Sequence, residues 1–308
     1  LLDSQGKHLC KGIAPSLPDF YNAALDGVEI GLGVGSCGEA AYTAERVIVQ
    51  DIATHPNWAL YSELASRAGL GACWSQPILS PSRQVLGTFA IYHRDKHPPT
   101  EAAIYVIEQT ARPASIAIER KQMEDEVRKL AFYDALTELP NRRLLADRLK
   151  QALAASKRKG LYGALLFLDL DNFKPLNDQH GHDYGDLLLK EVARRIRSCV
   201  REVDTVARFG GDEFVVVLSE LVADKTASTT QASMVAEKIR SALAAPYLLS
   251  IQNEGSVETS VEHHCTSSIG AVLFGNQESS ASDILKWADL AMYQAKAAGR
   301  NTVKFYDA

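Results

Sequence analysis

The sequence predicts an α+β protein of two domains joined by a long helix, and three observations carry that prediction. The chain has 308 residues, against a usual domain length of roughly 100–200 residues. Residues 1–111 mix short apolar strands with turns and a helix, the pattern of a sheet with helices on its faces. Residues 112–133 are dominated by charge, and from Asp134 onward apolar strands alternate with amphipathic helices.

Composition narrows the function. The chain is 46% hydrophobic and 23% charged, enough apolar residues for real cores. A net charge of −5 offers no diffuse basic field, which excludes polymeric nucleic acid as a partner. A nucleotide stays open, because a few placed Lys or Arg residues suffice for one triphosphate. No apolar run reaches the roughly 20 residues a bilayer crossing needs, so no membrane segment is expected in this stretch. No signal peptide is visible. The five cysteines, Cys10, Cys37, Cys73, Cys199 and Cys265, are scattered, with no CxxC pair or disulfide framework. That favours a reducing, cytoplasmic location. The chain opens at Leu1-Leu2-Asp3 without an initiator Met and reads as part of a longer protein.

In the first domain, Val47-Ile48-Val49 and Val85 to Tyr92 read as strands and Ala59 to Ala68 as a helix, separated by turns such as Pro81-Ser82-Arg83. In the charged segment, Ile116, Met123 and Leu130 recur every seven residues, with Arg120 and Val127 between them. This predicts a coiled-coil seam between two copies, although one amphipathic helix packed on its own domain gives the same spacing. In the second domain, Leu161 to Leu168 is an apolar strand ending in carboxylates. A helix with Leu189, Val192, Ile196 and Val200 on one face follows. Thr205–Phe209 and Phe214–Leu218 form a hairpin around Gly210-Gly211. Ser267–Ile269 and Ala271–Phe274 make a strand broken by Gly270. The last helix, Ser282 to Lys296, is capped by Ser282 or Asp283 and buries Ile284, Ala288, Met292 and Ala295. A strand from Thr302 to Tyr306 closes the domain.

Two motifs carry chemistry. Asp169-Leu170-Asp171, at the end of a strand, sets two carboxylates on one side of the sheet, because side chains alternate with period two. Hard divalent ions such as Mg²⁺ take such oxygens, with phosphates and water completing the shell. Solvated strand-end aspartates are the plain alternative. Arg208-Phe209-Gly210-Gly211-Asp212-Glu213-Phe214 puts two acids directly after a glycine tip and before Val215-Val216-Val217. Negative charge beside a buried sheet is costly unless a cation compensates it. His263-His264-Cys265 holds no comparable promise, since adjacent strand residues face opposite ways.

The Gly-Gly-Asp-Glu-Phe run identifies this half as resembling the GGDEF-type diguanylate cyclases. Four further segments resemble the family's motifs in order: Asp134 to Arg142, Asp169 to Asp178, Gly181 to Asp186, and Lys296 to Asn301. The resemblance covers residues 134–308 and implies a palm-like nucleotide-cyclase sandwich that condenses two GTP into cyclic di-GMP and two pyrophosphates. By the same resemblance, Asp169, the Leu170 carbonyl, Asp212 and Glu213 hold two Mg²⁺ or Mn²⁺ ions per GTP. Asp212 also accepts the ribose 3′-hydroxyl proton, with Glu213 and Lys174 in the catalytic set. Asn172 and Phe173 cradle phosphate through backbone N–H groups, while Lys174, Lys296 and Arg300 neutralise it. Asn177 and Asp186 read guanine. Arg201 and Asp204, in an Arg-x-x-Asp motif ending five residues short of Gly210, match the family's product-inhibition site. An i to i+3 ion pair is the plain reading of the same residues. Two GTP need two domains face to face, so a homodimer is implied.

Residues 1–111 resemble an N-terminally truncated GAF sensory domain, through Gly33 to Tyr42, Val47 to Ile52, Ala72 to Ile78 and Leu86 to Phe89. The resemblance implies an antiparallel sheet with helices that encloses an unidentified small molecule. Thiol sensors or chromophore anchors are one reading of Cys37 and Cys73; buried structural cysteines are the other, and the preferred one. Two alternatives stand beside the cyclase. One is a regulatory module that binds GTP or cyclic di-GMP without turnover. The other is a piece of a tandem cyclase–phosphodiesterase, whose join Val303 to Ala308 resembles.

Overall fold

The chain folds as two units, Leu1–Asp125 and Glu126–Ala308. The computed structural model describes residues 1–10, 12–251, 259–275 and 280–307.

The first unit begins with β1 (His8–Leu9), α1 (Asp19–Ala24) and β2 (Val28–Glu29), where β1 and β2 pair antiparallel. There follow α2 (Gly35–Thr43), β3 (Val47–Val49), α3 (Ser62–Arg67), β4 (Ala72–Leu79) and β5 (Val85–His93). The three last strands form an antiparallel sheet in the order β3-β4-β5, with α2 against β4 and β5. Val49, Ile52, Trp58, Ala65 and Cys73 are its core. The helix expected from Ala59 begins only at Ser62. Pro56, with its φ preset, starts a 3₁₀ turn over Pro56–Trp58 that buries Trp58 and sends its indole N–H to Ser36 Oγ at 3.1 Å.

Helix α4 (Glu101–Phe132) runs from the first unit into the second and contains Pro113. Along it Ile116, Met123, Val127 and Leu130 are 67%, 65%, 63% and 66% exposed, so the apolar stripe is not packed into the chain's own core. Arg120–Glu124 and Lys121–Asp125 pairs, each 2.9 Å, line the same helix.

The second unit continues with α5 (Arg142–Lys159), β6 (Gly163–Asp171), α6 (Phe173–His180), α7 (His182–Cys199), β7 (Thr205–Gly210) and β8 (Glu213–Leu218). Then come α8 (Lys225–Ala244), β9 (Tyr247–Ile251), β10 (Thr259–His263), β11 (Thr266–Phe274), α9 (Ala281–Ala297) and β12 (Val303–Phe305). Five strands form one sheet in the order β12-β11-β6-β8-β7, antiparallel except for the parallel β11–β12 pair. β9 and β10 form a separate ribbon.

Helices cover both faces, which is why β6 is apolar at every position up to its carboxylates. Its even residues, Leu166, Leu168 and Leu170, meet Leu189, Val192 and Ile196 of α7 and Ala232, Ala236 and Ile239 of α8. Its odd residues, Leu165 and Phe167, meet Leu145 and Leu149 of α5 and Ile284, Ala288 and Met292 of α9. Asp169 and Asp171 therefore fall on the α9 face.

β11 is continuous through Gly270, contrary to the expected break. Glycine is required there by the helix above it: a Cβ would lie 2.0 Å from the Ala288 carbonyl oxygen and 2.2 Å from the Met292 nitrogen. The cap of α9 is Ser280, neither Ser282 nor Asp283. Its hydroxyl accepts from Asp283 N–H while the Asp283 carboxylate accepts from Ser280 N–H, a reciprocal capping box.

Candidate active site

Register brings the two acidic motifs together. Asp169 on β6 pairs opposite Glu213 on β8, and Leu170 N–H donates to the Asp212 carbonyl at 3.3 Å. Two sequence-distant carboxylate pairs thus share one edge of the sheet. Burial raises the pKa of Asp169, and the charges of Asp212 and Asp171 add to that rise; the Lys296 ammonium, 2.7 Å away, opposes it without cancelling it. Burial also raises Glu213, reinforced by Asp169, Asp212 and Asp289, again against Lys296. The cluster carries more negative charge than its own side chains neutralise.

Asp169, Leu170, Asn172, Phe173, Lys174, Asp212, Lys296 and Arg300 line one open cleft of about 280 Å³. Asn172 makes this possible through its backbone: it sits in the left-handed region, φ 60°, between β6 and α6. That conformation is unfavourable for most residues with a Cβ, Asn least so, and it leads the chain from β6 into α6, whose first residues, Phe173, Lys174 and Pro175, line the cleft; a helix N-terminus favours an anion. Lys174 and Arg300 are exposed. Lys296 is tied to Asp169, so it reaches the cleft as part of an ion pair.

The second carboxylate of the Asp-x-Asp pair does other work. Asp171 accepts hydrogen bonds from Thr266 Oγ1 and Ser268 Oγ, both at 2.7 Å, and from Asn301 N–H at 3.1 Å. It fastens the loop after α9 to β6 and β11, where Arg300 and Asn301 hold left-handed φ values of 63° and 45°. Strand alternation forecast its side of the sheet but not that neighbouring hydroxyls would occupy it.

Asn177 and Asp186 stand apart from the cleft lining, on α6 and α7. The Asn177 Oδ1 is buried without a hydrogen-bond partner. Gly185 makes room for it: a Cβ there would lie 1.9 Å from that oxygen. An unpartnered buried acceptor next to the exposed carboxylate of Asp186 fits a ligand edge rich in donors.

Arg208 was missed as a functional residue by sequence reasoning. Its guanidinium donates to the Gly211 carbonyl at 2.9 and 2.7 Å and to the Asp134 carboxylate at 3.0 and 3.1 Å. It thus fixes the tip that precedes Asp212 to the opening motif. The only sequence signal was its place two residues before the glycine pair. Arg201 and Asp204 lie in the turn between α7 and β7. The Arg201 Nη2 donates to Asp204 Oδ1 at 3.1 Å and to the Ser219 carbonyl at 2.7 Å. Asp204 also accepts from the N–H groups of Arg201 and Ser219, at 3.0 and 3.1 Å. The ion pair of the plain reading is therefore present, and Arg201 remains 55% exposed at its side chain.

Among the described residues no three His, Cys, Asp or Glu side chains close a metal cage by themselves. Mg²⁺ binds through one or two carboxylates and completes its shell with water and substrate phosphate. The raised carboxylates are the observation that supports the fit.

A family model described as diguanylate cyclase, GGDEF domain, matches residues 131–302, and one for the GAF domain matches residues 1–119. The bifunctional diguanylate cyclase/cyclic di-GMP phosphodiesterase MucR of Pseudomonas aeruginosa is 40% identical over 197 residues, 64% of this chain and 27% of that protein. Diguanylate cyclase TpbB of the same species is 39% identical over 184 residues, 59% of this chain and 39% of that protein. The crystal structure of the coiled coil and GGDEF domain of DgcB from Caulobacter crescentus, in complex with c-di-GMP, is similar at a TM-score of 0.54 and 28% identity. That likeness covers 67% of this chain and 100% of that one. The chain spans well under half the length of these two curated relatives.

Proposed function

The chain belongs to the GGDEF diguanylate cyclase family, with a GAF domain ahead of the GGDEF domain, and from that premise we propose that its second unit condenses two GTP into cyclic di-GMP. The observation that carries the reading is the meeting of Asp169, Asp212 and Glu213 at one sheet edge beside Lys174, Lys296 and Arg300. We divide the chain into a sensory domain at 1–111, a linker helix at 112–133 and a cyclase domain at 134–308, in the cytoplasm.

Each GTP lies with its triphosphate against the α6 N-terminus, Lys174, Lys296 and Arg300, which spread its charge. The Asn177 and Asp186 acceptors take the N1–H and amino protons of guanine. The ribose 3′-oxygen of one GTP bonds to the α-phosphorus of the other; the α–β P–O bond breaks and pyrophosphate leaves. Asp212 accepts the hydroxyl proton. Asp169, the Leu170 carbonyl, Asp212 and Glu213 would hold two Mg²⁺ or Mn²⁺ ions per GTP, which when bound would stabilise the charge of the in-line displacement. Both phosphodiester bonds require two copies face to face, and the exposed stripe of α4 supports pairing as a homodimer. Cyclic di-GMP then binds Arg201 and Asp204 as an inhibitor, with Arg201 turning from Asp204 to a product phosphate. An unidentified small molecule acts on the GAF domain.

The test is to incubate the purified chain with GTP and Mg²⁺ or Mn²⁺ and measure cyclic di-GMP and pyrophosphate, with Asp212→Ala as control. Product in the parent and none in the variant is expected. GTP binding without product in a verified dimer would establish a non-catalytic binding module instead.

A further inference from the structure

A second cleft, of about 420 Å³, borders the first and is walled by Asp134, Arg142, Arg143, Arg208, Phe209 and the Gly210–Gly211 tip. The two linings meet at the Gly211–Asp212 bond and share no residue. Asp134, the one acid in this wall, is already paired with Arg208 at 3.0 Å. Arg142 and Arg143, on the first turn of α5, are exposed, and neither guanidinium has an ion-pair partner among the described residues. Each lies instead over an aromatic ring: Arg142 Cζ is 4.6 Å from the centroid of Phe209, and Arg143 Cζ 5.1 Å from that of Phe132. A guanidinium stacked by its face keeps its N–H edge free, the edge that takes a phosphate bidentately. Phe209 packs edge-on against Phe167 of the core, ring centroids 5.2 Å apart, so the platform under Arg142 is fixed. The backbone of the turn is not what attracts a ligand here, because Asn141 Oδ1 accepts from the N–H groups of Arg143 and Leu144. At the tip there is room: a Cβ on Gly210 or Gly211 would meet no atom within 4 Å.

From this geometry we infer that Arg142 and Arg143 bind the phosphates of the GTP held by the partner copy. On the cyclase reading, on which this rests, the chain's own GTP is not the ligand. Its triphosphate belongs to Lys174, Lys296 and Arg300 and its base to Asn177 and Asp186, none of which lines the second cleft. Face-to-face pairing brings another nucleotide to the tip, since the 3′-oxygen of each GTP must reach the α-phosphorus of the other beside Asp212. The second cleft opens at that tip with two uncompensated positive charges. Arginines aimed at a phosphoryl group stabilise the charge that builds as the bond to pyrophosphate breaks. Each copy thereby completes the site of the other.

Two variants of the full chain test this: Arg142→Ala with Arg143→Ala, and Asp169→Ala, which loses a carboxylate of the first cleft. Alone, the arginine variant should lose kcat on the order of 100-fold, with GTP affinity changed only a few-fold. The deciding sample mixes the two variants, with mixed dimers verified by native mass spectrometry. In a mixed dimer the arginine variant keeps its own carboxylate cleft, and its GTP meets the intact Arg142 and Arg143 of the Asp169→Ala copy. One phosphodiester bond then forms. Linear dinucleotide and one pyrophosphate are expected at roughly ten-fold or more above the sum of the variants assayed apart. Arginines that serve only their own copy predict no gain, because every cleft in the mixture then lacks either Asp169 or its arginines. No gain in verified mixed dimers overturns the inference, as does an arginine variant that keeps more than about half of the parent's kcat. Either result beside an active parent leaves the cyclase reading standing; a parent that makes no cyclic di-GMP sinks that reading and this inference with it. Arg142→Gln with Arg143→Gln, neutral but with the stems retained, takes the place of the alanine pair if that pair melts far below the parent.

Discussion

Replacing Arg208 by Ala removes one side chain that holds two motifs in place. Its guanidinium is 14% exposed and the Asp134 carboxylate 23%, so both bonds operate largely out of water. Hydrogen bonds to charged groups contribute about 1.5–3 kcal/mol. Asp134 keeps its bonds to Thr137 N–H at 2.8 Å and Thr137 Oγ1 at 2.6 Å, and water replaces the guanidinium at the exposed Gly211 carbonyl. We therefore expect a net loss of about 1.5–3 kcal/mol, not the sum over four contacts. For a unit of this size that lowers the melting temperature by roughly 3–12 °C. The larger effect falls on turnover. Gly211 directly precedes Asp212, and a displacement of about 1 Å in a reacting group costs about 100-fold. The assay is kcat for cyclic di-GMP formation at a temperature well below melting, beside a direct measurement of GTP affinity. kcat should fall 10–100-fold with affinity changed only a few-fold, estimates that follow from the same positioning argument. Arg208→Lys should recover part of the stability and little of the kcat, because an ammonium cannot fork between a carboxylate and a carbonyl. An Arg208→Ala protein that melts within 1 °C of the parent and keeps more than half its kcat, well short of these estimates, would refute the reasoning.

Four further outcomes follow from the same structure. Glu213 has a raised pKa, so above the ordinary carboxylate range its ionised form destabilises the metal-free protein; Glu213→Gln should raise the melting temperature at pH 7 and leave it unchanged near pH 4. For the same reason Mg²⁺ affinity should weaken as pH falls through the raised values of Asp169 and Glu213, with protons released on binding, as calorimetry in buffers of different ionisation enthalpy would register. Gly185→Ala drives a Cβ to within 1.9 Å of Asn177 Oδ1, and should raise KM for GTP by about 10-fold or more while changing kcat less. Met123→Glu with Leu130→Glu puts charge into the exposed α4 stripe; sedimentation should show a monomer, with activity per protein reduced at micromolar concentration.

The sequence by itself determined the family, the order of the elements and the identity of the charged residues. Those features are local: the unbroken apolar run of β6 reports a strand covered on both faces, period 3.6 in α7 reports which face is buried, and Gly-Gly-Asp-Glu-Phe is contiguous. It read less well where a residue answers to a distant neighbour. Gly270 looked like a strand break because no local pattern shows the backbone of α9 lying against it. Ser280 was passed over as a cap because Ser282 and Asp283 offer the same local chemistry, and only the chain direction into α9 selects among them. Asp169 and Asp171 are equivalent on the page, two acids on the same side of one strand. Tertiary structure separated them: Thr266, Ser268 and Asn301 absorb the charge of Asp171, while Asp169 is left facing Asp212, Glu213 and a single lysine. A carboxylate or thiol has its chemistry set by the charges and donors within a few ångströms of it, and in this protein most of those come from strands and helices remote in the chain.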